Sequence, residues 1–384
     1  MSDEPIDSIN YQRCVPKGLE LCGVDKLFLQ IHDASFPAFA DEDTRRGSPY
    51  TAGAARFLAQ LRRLGFNGVQ LGPQGATSAT NPSPYDGTIF SRNPLSLALQ
   101  PLFEQGLLEQ RQLEELLIER PGKRDRVNYA FAHGVAERAL AAVHSNFVRG
   151  APGFAGVAER VAEFRRRHAH WLDRDLAYAV LFERYGRQSW RGWRAADGAA
   201  HSDQHLFSGA LAAEEPELLA PVLASAPKLV EREALGQWLL SEQHTALRSY
   251  CRSLGLKLYA DLQIGVSDQD AWAYRALFLR NYRMGAPPSR TNPEGQPWGF
   301  CVLDPGAYLD ADGDPGPAIR FVERRLRKIY SEYDGVRVDH PHGWVCPWVY
   351  RADLSDPFAA VRGGARLFAS PNLPDHPELA QYSI

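Results

Sequence analysis

Tyr-Asp-Gly-Val-Arg-Val-Asp-His-Pro-His-Gly-Trp, residues 333–344, predicts a strand that ends in charged side chains. Side chains two positions apart share a face of a strand, so Arg337 and Asp339 point to the same side. A guanidinium beside a carboxylate keeps it ionised, which suits a nucleophile or an electrostatic stabiliser better than a general acid. His340 and Pro341 end the strand, so the charged pair lies at its carboxyl end. The alternative is a surface strand closed by a turn.

Composition bounds the protein class. The chain has 384 residues, of which 44% are hydrophobic and 23% charged, and its formal net charge is −3. This length fits an elaborated barrel or two domains, and the charge indicates no nucleic-acid partner. The start has no apolar signal sequence, and no apolar run is long enough to span a membrane. The five cysteines form no CxxC pair and predict no disulfide framework, which is typical of proteins in the reducing cytoplasm. Since no apolar run is long enough to span a membrane, we expect a cytoplasmic protein without a membrane partner.

Short apolar runs predict four strands, each ending in polar residues. They occupy residues 26–31, 68–71, 256–261 and 335–340. Predicted helices separate them, and this alternation indicates parallel strands. Functional groups at the carboxyl ends of such strands are typical of the TIM-type (β/α)8 barrel. We therefore predict an α/β fold containing about the N-terminal half of such a barrel. An open doubly wound sheet is the alternative, but the glycine-rich nucleotide motifs are missing.

The same pattern divides the chain into three parts. Residues 1–94 hold the first two strands and a long loop over 74–94, and a loop of that length is usually functional. Residues 95–254 read as a helical insertion. Residues 255–384 hold the last two strands, separated by a helix and by a region rich in glycine and proline over 283–316, which predicts a loop.

Several separated segments follow one another in a recognisable order. They are Ser83-Pro-Tyr-Asp-Gly with Asn93-Pro, Trp171-Leu-Asp-Arg-Asp, Ala260-Asp-Leu-Gln-Ile-Gly-Val with Asp270-Ala-Trp, Gly285-Ala-Pro-Pro with Gly295-Gln-Pro-Trp-Gly, and Arg337-Val-Asp-His. Together these segments resemble motifs of family 77 of the glycoside hydrolases. Its members are the 4-α-glucanotransferases called amylomaltase or disproportionating enzyme. The resemblance touches nearly the whole chain.

The resemblance implies a disproportionation reaction by retaining double displacement. Asp339 would attack the anomeric carbon of an α-1,4-glucan, and the glucosyl-enzyme would pass its chain to another glucan or to water. Arg337 would hold Asp339 ionised and oriented. The implied partners are malto-oligosaccharides, and no cofactor or metal is required. The candidate residues for contacting or supporting the sugar are Tyr85, Asn93, Asp261, Trp298 and His340.

Two departures from the family pattern bear on function. Gln263 stands where the family has proline in its third-strand motif. The family's acid/base glutamate lies on a later strand, whereas here the one glutamate after Asp339 is Glu378, in a proline-bounded segment. We therefore expect the chain to be the N-terminal part of a longer enzyme, with little transferase activity by itself. Acceptor preference and oligomeric state stay open.

Two other functions are compatible with the sequence. One is a metal-dependent barrel hydrolase, in which His340 and His342 would act with His32 and Asp261, because an HxH pair is a known metal-binding pattern. The other is a glucan-binding protein without turnover, which would keep the sugar contacts and lack the acid/base.

Overall fold

Four parallel strands form the first sheet of the computed structural model, which describes residues 11–118, 120–123, 125–194, 202–207 and 216–383. The strands pair in the order β1, β2, β3, β6 and have the bounds Phe28–Ile31 (β1), Gly68–Leu71 (β2), Lys257–Leu262 (β3) and Gly335–Val338 (β6). All three pairings are parallel. The prediction of a parallel α/β sheet is confirmed. Within the described residues the sheet is open, as in a partial TIM-type barrel.

Helices cover both the connections between these strands and the predicted helical block. Their bounds are Tyr11–Leu21 (α1), Ala52–Arg63 (α2), Gln100–Glu104 (α3), Gln110–Leu117 (α4), Tyr129–Val148 (α5), Val157–Arg184 (α6), Pro216–Ala224 (α7), Pro227–Ser253 (α8), Asp268–Ala273 (α9), Pro317–Glu332 (α10), His342–Val345 (α11), Pro357–Arg362 (α12) and Pro377–Ala380 (α13). Leu71 and Leu258 of the sheet share one hydrophobic core with Leu172 and Leu239 of the helical block. Because this core spans the predicted boundaries, the three-part division stays a prediction.

A second, antiparallel sheet corrects the prediction of a continuous loop over 283–316. Its strand order is β5, β4, β7, β8, with bounds Gln296–Phe300 (β5), Tyr282–Ala286 (β4), Trp348–Arg351 (β7) and Ala365–Arg366 (β8). The sequence did not predict β4 and β5, because the glycine and proline residues in and around them are typical of a loop. Pro297 is tolerated because β5 is an edge strand, where a missing N–H leaves no ladder bond unmade. At Gly285 a Cβ would lie 2.3 Å from the Gln296 carbonyl oxygen, so glycine permits the close pairing.

Two glutamine side chains of α8 fix the end of the long loop that follows β2. The Gln237 amide accepts from the backbone N–H of Arg92 at 2.8 Å and donates to its carbonyl at 2.9 Å. Gln243 makes the same pair of bonds to Ala98, at 3.0 and 2.9 Å. Each amide therefore supplies the donor and acceptor that a neighbouring strand would otherwise give to this backbone. Buried backbone polar groups require such partners.

We predict that Gln243→Met lowers the free energy of unfolding by about 2–4 kcal/mol, because the buried N–H and C=O of Ala98 both lose their partner while the volume is nearly kept. Urea denaturation of the purified protein measures this change. Glu242→Met, at the exposed neighbouring position, is the control. Equal losses in the two variants would contradict the assignment.

Candidate functional site

The charged cluster at the carboxyl ends of β3 and β6 is centred on Arg337. Strand register places Asp261 opposite Arg337. Nη1 of Arg337 lies 2.9 and 3.0 Å from the two carboxylate oxygens of Asp261, and Nη2 lies 2.8 Å from Oδ1 of Asp339. The Asp339 N–H donates to the Leu262 carbonyl at 3.1 Å, which extends the pairing beyond β6. Arg337 and Asp339 thus share one face, as the alternation predicts.

The two carboxylates differ in their access to solvent. The Asp261 side chain is fully buried, whereas that of Asp339 is 23% exposed. Burial raises the pKa of Asp261, and the charge and hydrogen bonds of Arg337 oppose that rise. Asp261 therefore lies beneath the guanidinium and supports it. Asp339 is the carboxylate of this pair that a ligand can reach.

Tyr85 enters the cluster from the loop that follows β2. It lies in a single 3₁₀ turn, Pro84–Asp86, and its hydroxyl accepts a hydrogen bond from Arg337. Burial raises the pKa of the Tyr85 phenol, and the charges of Asp261 and Asp339 raise it further. The ring of His32 meets the Tyr85 ring edge-on, with 5.8 Å between centroids. The phenol is therefore protonated at neutral pH and can donate a hydrogen bond.

His340 and Trp298 form an aromatic contact beside Asp339. The rings are perpendicular, with 4.7 Å between their centroids. His340 has a backbone φ of +44°, a left-handed conformation that a residue with a Cβ rarely adopts and that clusters at functional sites. Burial lowers the pKa of its imidazole, and the charge of Asp339 opposes this. The indole N–H of Trp298 donates to Gln296 at 2.9 Å, which fixes the ring on β5.

Asn93 does not join these residues through its contacts. It is buried, its side-chain oxygen accepts from the Leu95 N–H at 3.1 Å, and its amide nitrogen donates to Thr77 at 3.2 Å. The structure thus brings together Asp339, Arg337, Asp261, Tyr85, His340 and Trp298 but not Asn93. Sequence reasoning had no signal for the ring contact of His32 with Tyr85.

The metal alternative finds no support in the site. Among the described residues, no group of three or more His, Cys, Asp or Glu side chains is arranged to hold a metal ion. The rings of His340 and His342 lie 6.5 Å apart, and His32 packs against Tyr85.

In the part of the chain that the structure describes, no helix has the length and apolar character needed to cross a membrane.

A family model and curated relatives both match most of the chain. A family model described as 4-alpha-glucanotransferase matches residues 46–366. The 4-alpha-glucanotransferase of Streptococcus pneumoniae is 28% identical over 313 residues, which cover 78% of this chain and 57% of the relative. That of Thermus thermophilus is 27% identical over 335 residues, covering 83% and 59%.

Solved structures show the same fold. The amylomaltase from Streptococcus agalactiae in complex with acarbose superposes with a TM-score of 0.72 at 19% identity, covering 92% of this chain and 65% of that chain. The amylomaltase from Corynebacterium glutamicum gives a TM-score of 0.62. The chain spans a little over half the length of the two curated relatives it matches here.

We predict that Asp261→Asn lowers the pKa of the Tyr85 phenol, because one of the two negative charges acting on it is removed while Arg337 stays. NMR titration of isotope-labelled tyrosine, with Tyr85→Phe to assign the signal, measures this pKa. Asp312→Asn, which removes an exposed carboxylate that does not act on Tyr85, should leave it unchanged. An unchanged or higher pKa in Asp261→Asn would contradict the electrostatic account.

Proposed function

Because this chain belongs to the 4-alpha-glucanotransferase family, we propose that the Arg337 cluster binds the donor end of an α-1,4-glucan and that Asp339 is the nucleophile of a retaining transfer. The observation that carries the proposal is the 2.8 Å contact between Arg337 and Asp339. It holds a partly exposed carboxylate at the carboxyl end of a parallel strand, where barrel enzymes keep their sites.

The proposed reaction has two displacements. In the first, a carboxylate oxygen of Asp339 bonds to the anomeric carbon while the bond from that carbon to the 4-oxygen of the next glucose breaks. The departing oxygen takes a proton from a general acid. In the second, the 4-hydroxyl of another glucan displaces Asp339 from the anomeric carbon, and its proton goes to the conjugate base of that general acid. The ion pair with Arg337 orients the Asp339 carboxylate for attack on the anomeric carbon.

The remaining residues of the cluster serve substrate binding in this proposal. The Tyr85 hydroxyl and the neutral imidazole of His340 offer hydrogen bonds to sugar hydroxyls, and the Trp298 ring offers an apolar face to a glucose ring. Asp261 acts through Arg337 and Tyr85 rather than by touching the sugar. Asn93 contributes by capping the turn that begins at Pro94, which holds the loop that carries Tyr85.

A second candidate function, glucan binding without turnover, is favoured by one observation. Retaining enzymes need a second carboxyl group about 5–5.5 Å from the nucleophile. Among the described residues, the other carboxylate in contact with the cluster is Asp261, which is buried and paired. Glu378 contacts Asn281 at 3.3 Å and acts electrostatically on Tyr282 and Arg351, outside the cluster. Among the described residues, the proposed nucleophile therefore has no free carboxyl group beside it to act as the acid/base.

A cytoplasmic location belongs to the same proposal. All five cysteines are free thiols in the structure, and reducing compartments keep thiols in this form. The proposed partners are malto-oligosaccharides and longer α-1,4-glucans.

We predict that α-maltosyl fluoride forms a covalent ester with Asp339. Fluoride leaves without a proton from a general acid, so the first displacement does not depend on the acid/base that the described residues do not supply. The intermediate accumulates because the second step is slow without a general base. Intact-protein mass spectrometry of the purified chain should show one added maltosyl group, and peptide analysis should place it on Asp339. The carbon–fluorine bond breaks as the carbon–oxygen bond forms.

Asp339→Asn should bind acarbose in calorimetry but give no adduct, whereas Asp312→Asn should behave like the wild type. If the wild-type chain binds acarbose but forms no adduct, Asp339 is not a nucleophile in this chain, and glucan binding is its function. The absence of both binding and adduct would overturn the proposal as a whole.

A further inference from the structure

The turn that carries Tyr85 is held in place by the segment that follows β3. The side chain of Gln263 is buried, and its amide nitrogen donates to the Gly87 carbonyl at 2.8 Å. Within the turn, the Gly87 N–H donates to the Pro84 carbonyl at 3.2 Å. Both backbone groups of Gly87 are therefore bonded, one inside the turn and the other to Gln263.

Two glycines allow the chain to approach this turn closely from both sides. A Cβ on Gly265 would lie 2.1 Å from the Tyr85 carbonyl oxygen. On the other side, a Cβ on Gly75 would lie 2.0 Å from the Thr88 carbonyl oxygen. No side chain fits at either distance. The turn is thus enclosed between the segments that follow β2 and β3, and Gln263 provides a directional bond within that contact.

The backbone of Gln263 is anchored in turn. Its carbonyl accepts from Nη2 of Arg325 at 2.8 Å, and Arg325 is a buried residue of α10 whose guanidinium lies over the Trp344 ring, 5.3 Å from its centroid. Gln263 follows Asp261 by two positions, so the residue that supports Arg337 and the residue that holds the Tyr85 turn lie on one short stretch of chain at the end of β3. The bond from Gln263 to Gly87 therefore connects the turn that carries Tyr85 to this stretch.

We infer that Gln263 is a positioning residue that holds Tyr85 over Arg337 and thereby sets the affinity of the site for the donor glucan. A side chain without an amide at this position leaves the Gly87 carbonyl to water and frees the turn to move outward. The consequence for glucan binding rests on the proposed function, whereas the placement of Tyr85 does not.

The test compares Gln263→Met, which keeps the length of the side chain and loses the donor, with Gln60→Met, an exposed control on α2. In Gln263→Met, the pKa of Tyr85 should fall toward its ordinary value as the ring becomes more exposed. Acarbose affinity, measured by calorimetry, should fall about tenfold, the effect of one lost hydrogen bond of ordinary strength. Gln60→Met should change neither quantity.

A double-variant cycle separates positioning from a general structural role. If Gln263 acts through Tyr85, Gln263→Met should weaken acarbose binding much less in a Tyr85→Phe background than in the wild type. Gln263→Asn, whose amide is one carbon shorter, should restore part of the affinity. Additive losses, or an unchanged Tyr85 pKa in Gln263→Met, would overturn the inference. If the wild-type chain binds no acarbose, the proposed function fails, but the titration of Tyr85 still decides whether Gln263 positions it.

Discussion

The site depends on the sharing of one guanidinium between two carboxylates. Arg337 can reach Asp261 and Asp339 together only because β3 and β6 pair with Arg337 opposite Asp261. A slip of one residue would turn Arg337, together with Asp339, to the other face of the sheet and break the contact with Asp261. Register is well specified here, because β3 alternates the buried apolar residues Leu258, Ala260 and Leu262 with Lys257, Tyr259 and Asp261. The fold and the electrostatics of the site are therefore set by the same pairing.

This sharing explains why the two carboxylates differ in character. An ionised carboxylate buried without a partner is very unfavourable, so Asp261 requires the guanidinium that covers it. Arg337 is itself 41% exposed, which lets water stabilise its outer side while its inner side neutralises Asp261. The second nitrogen is then available to Asp339. The charges of Asp261, Asp339 and Arg337 all act on Tyr85, so the pKa of its phenol depends on the positions of all three.

Periodic features of the sequence were predictable, and features set by long-range contacts were not. The alternation around Arg337 and the helical pattern of α2 or α8 each follow from residues a few positions apart. β5 could not be found this way, because Pro297 and the flanking glycines resemble a loop until the pairing with β4 supplies the missing context. The amide side chain of Asn93 is of a kind that often contacts sugars. Here it is buried, and its oxygen accepts a hydrogen bond from the Leu95 N–H. The departure at Gln263 was visible, but its partner, Gly87, was not.

The loop that brings Tyr85 into the site shows how an irregular segment can be as well placed as a strand. A loop without strand neighbours must find other partners for its buried N–H and C=O groups. Here glutamine amides supply them: Gln237 and Gln243 reach from α8, and Gln263 reaches from the end of β3. Their anchors are elements that pack in the main core. Through Gln237 and Gln243, α8 therefore fixes the end of the loop that Gln263 holds at Gly87, although no described residue of α8 belongs to the cluster around Arg337.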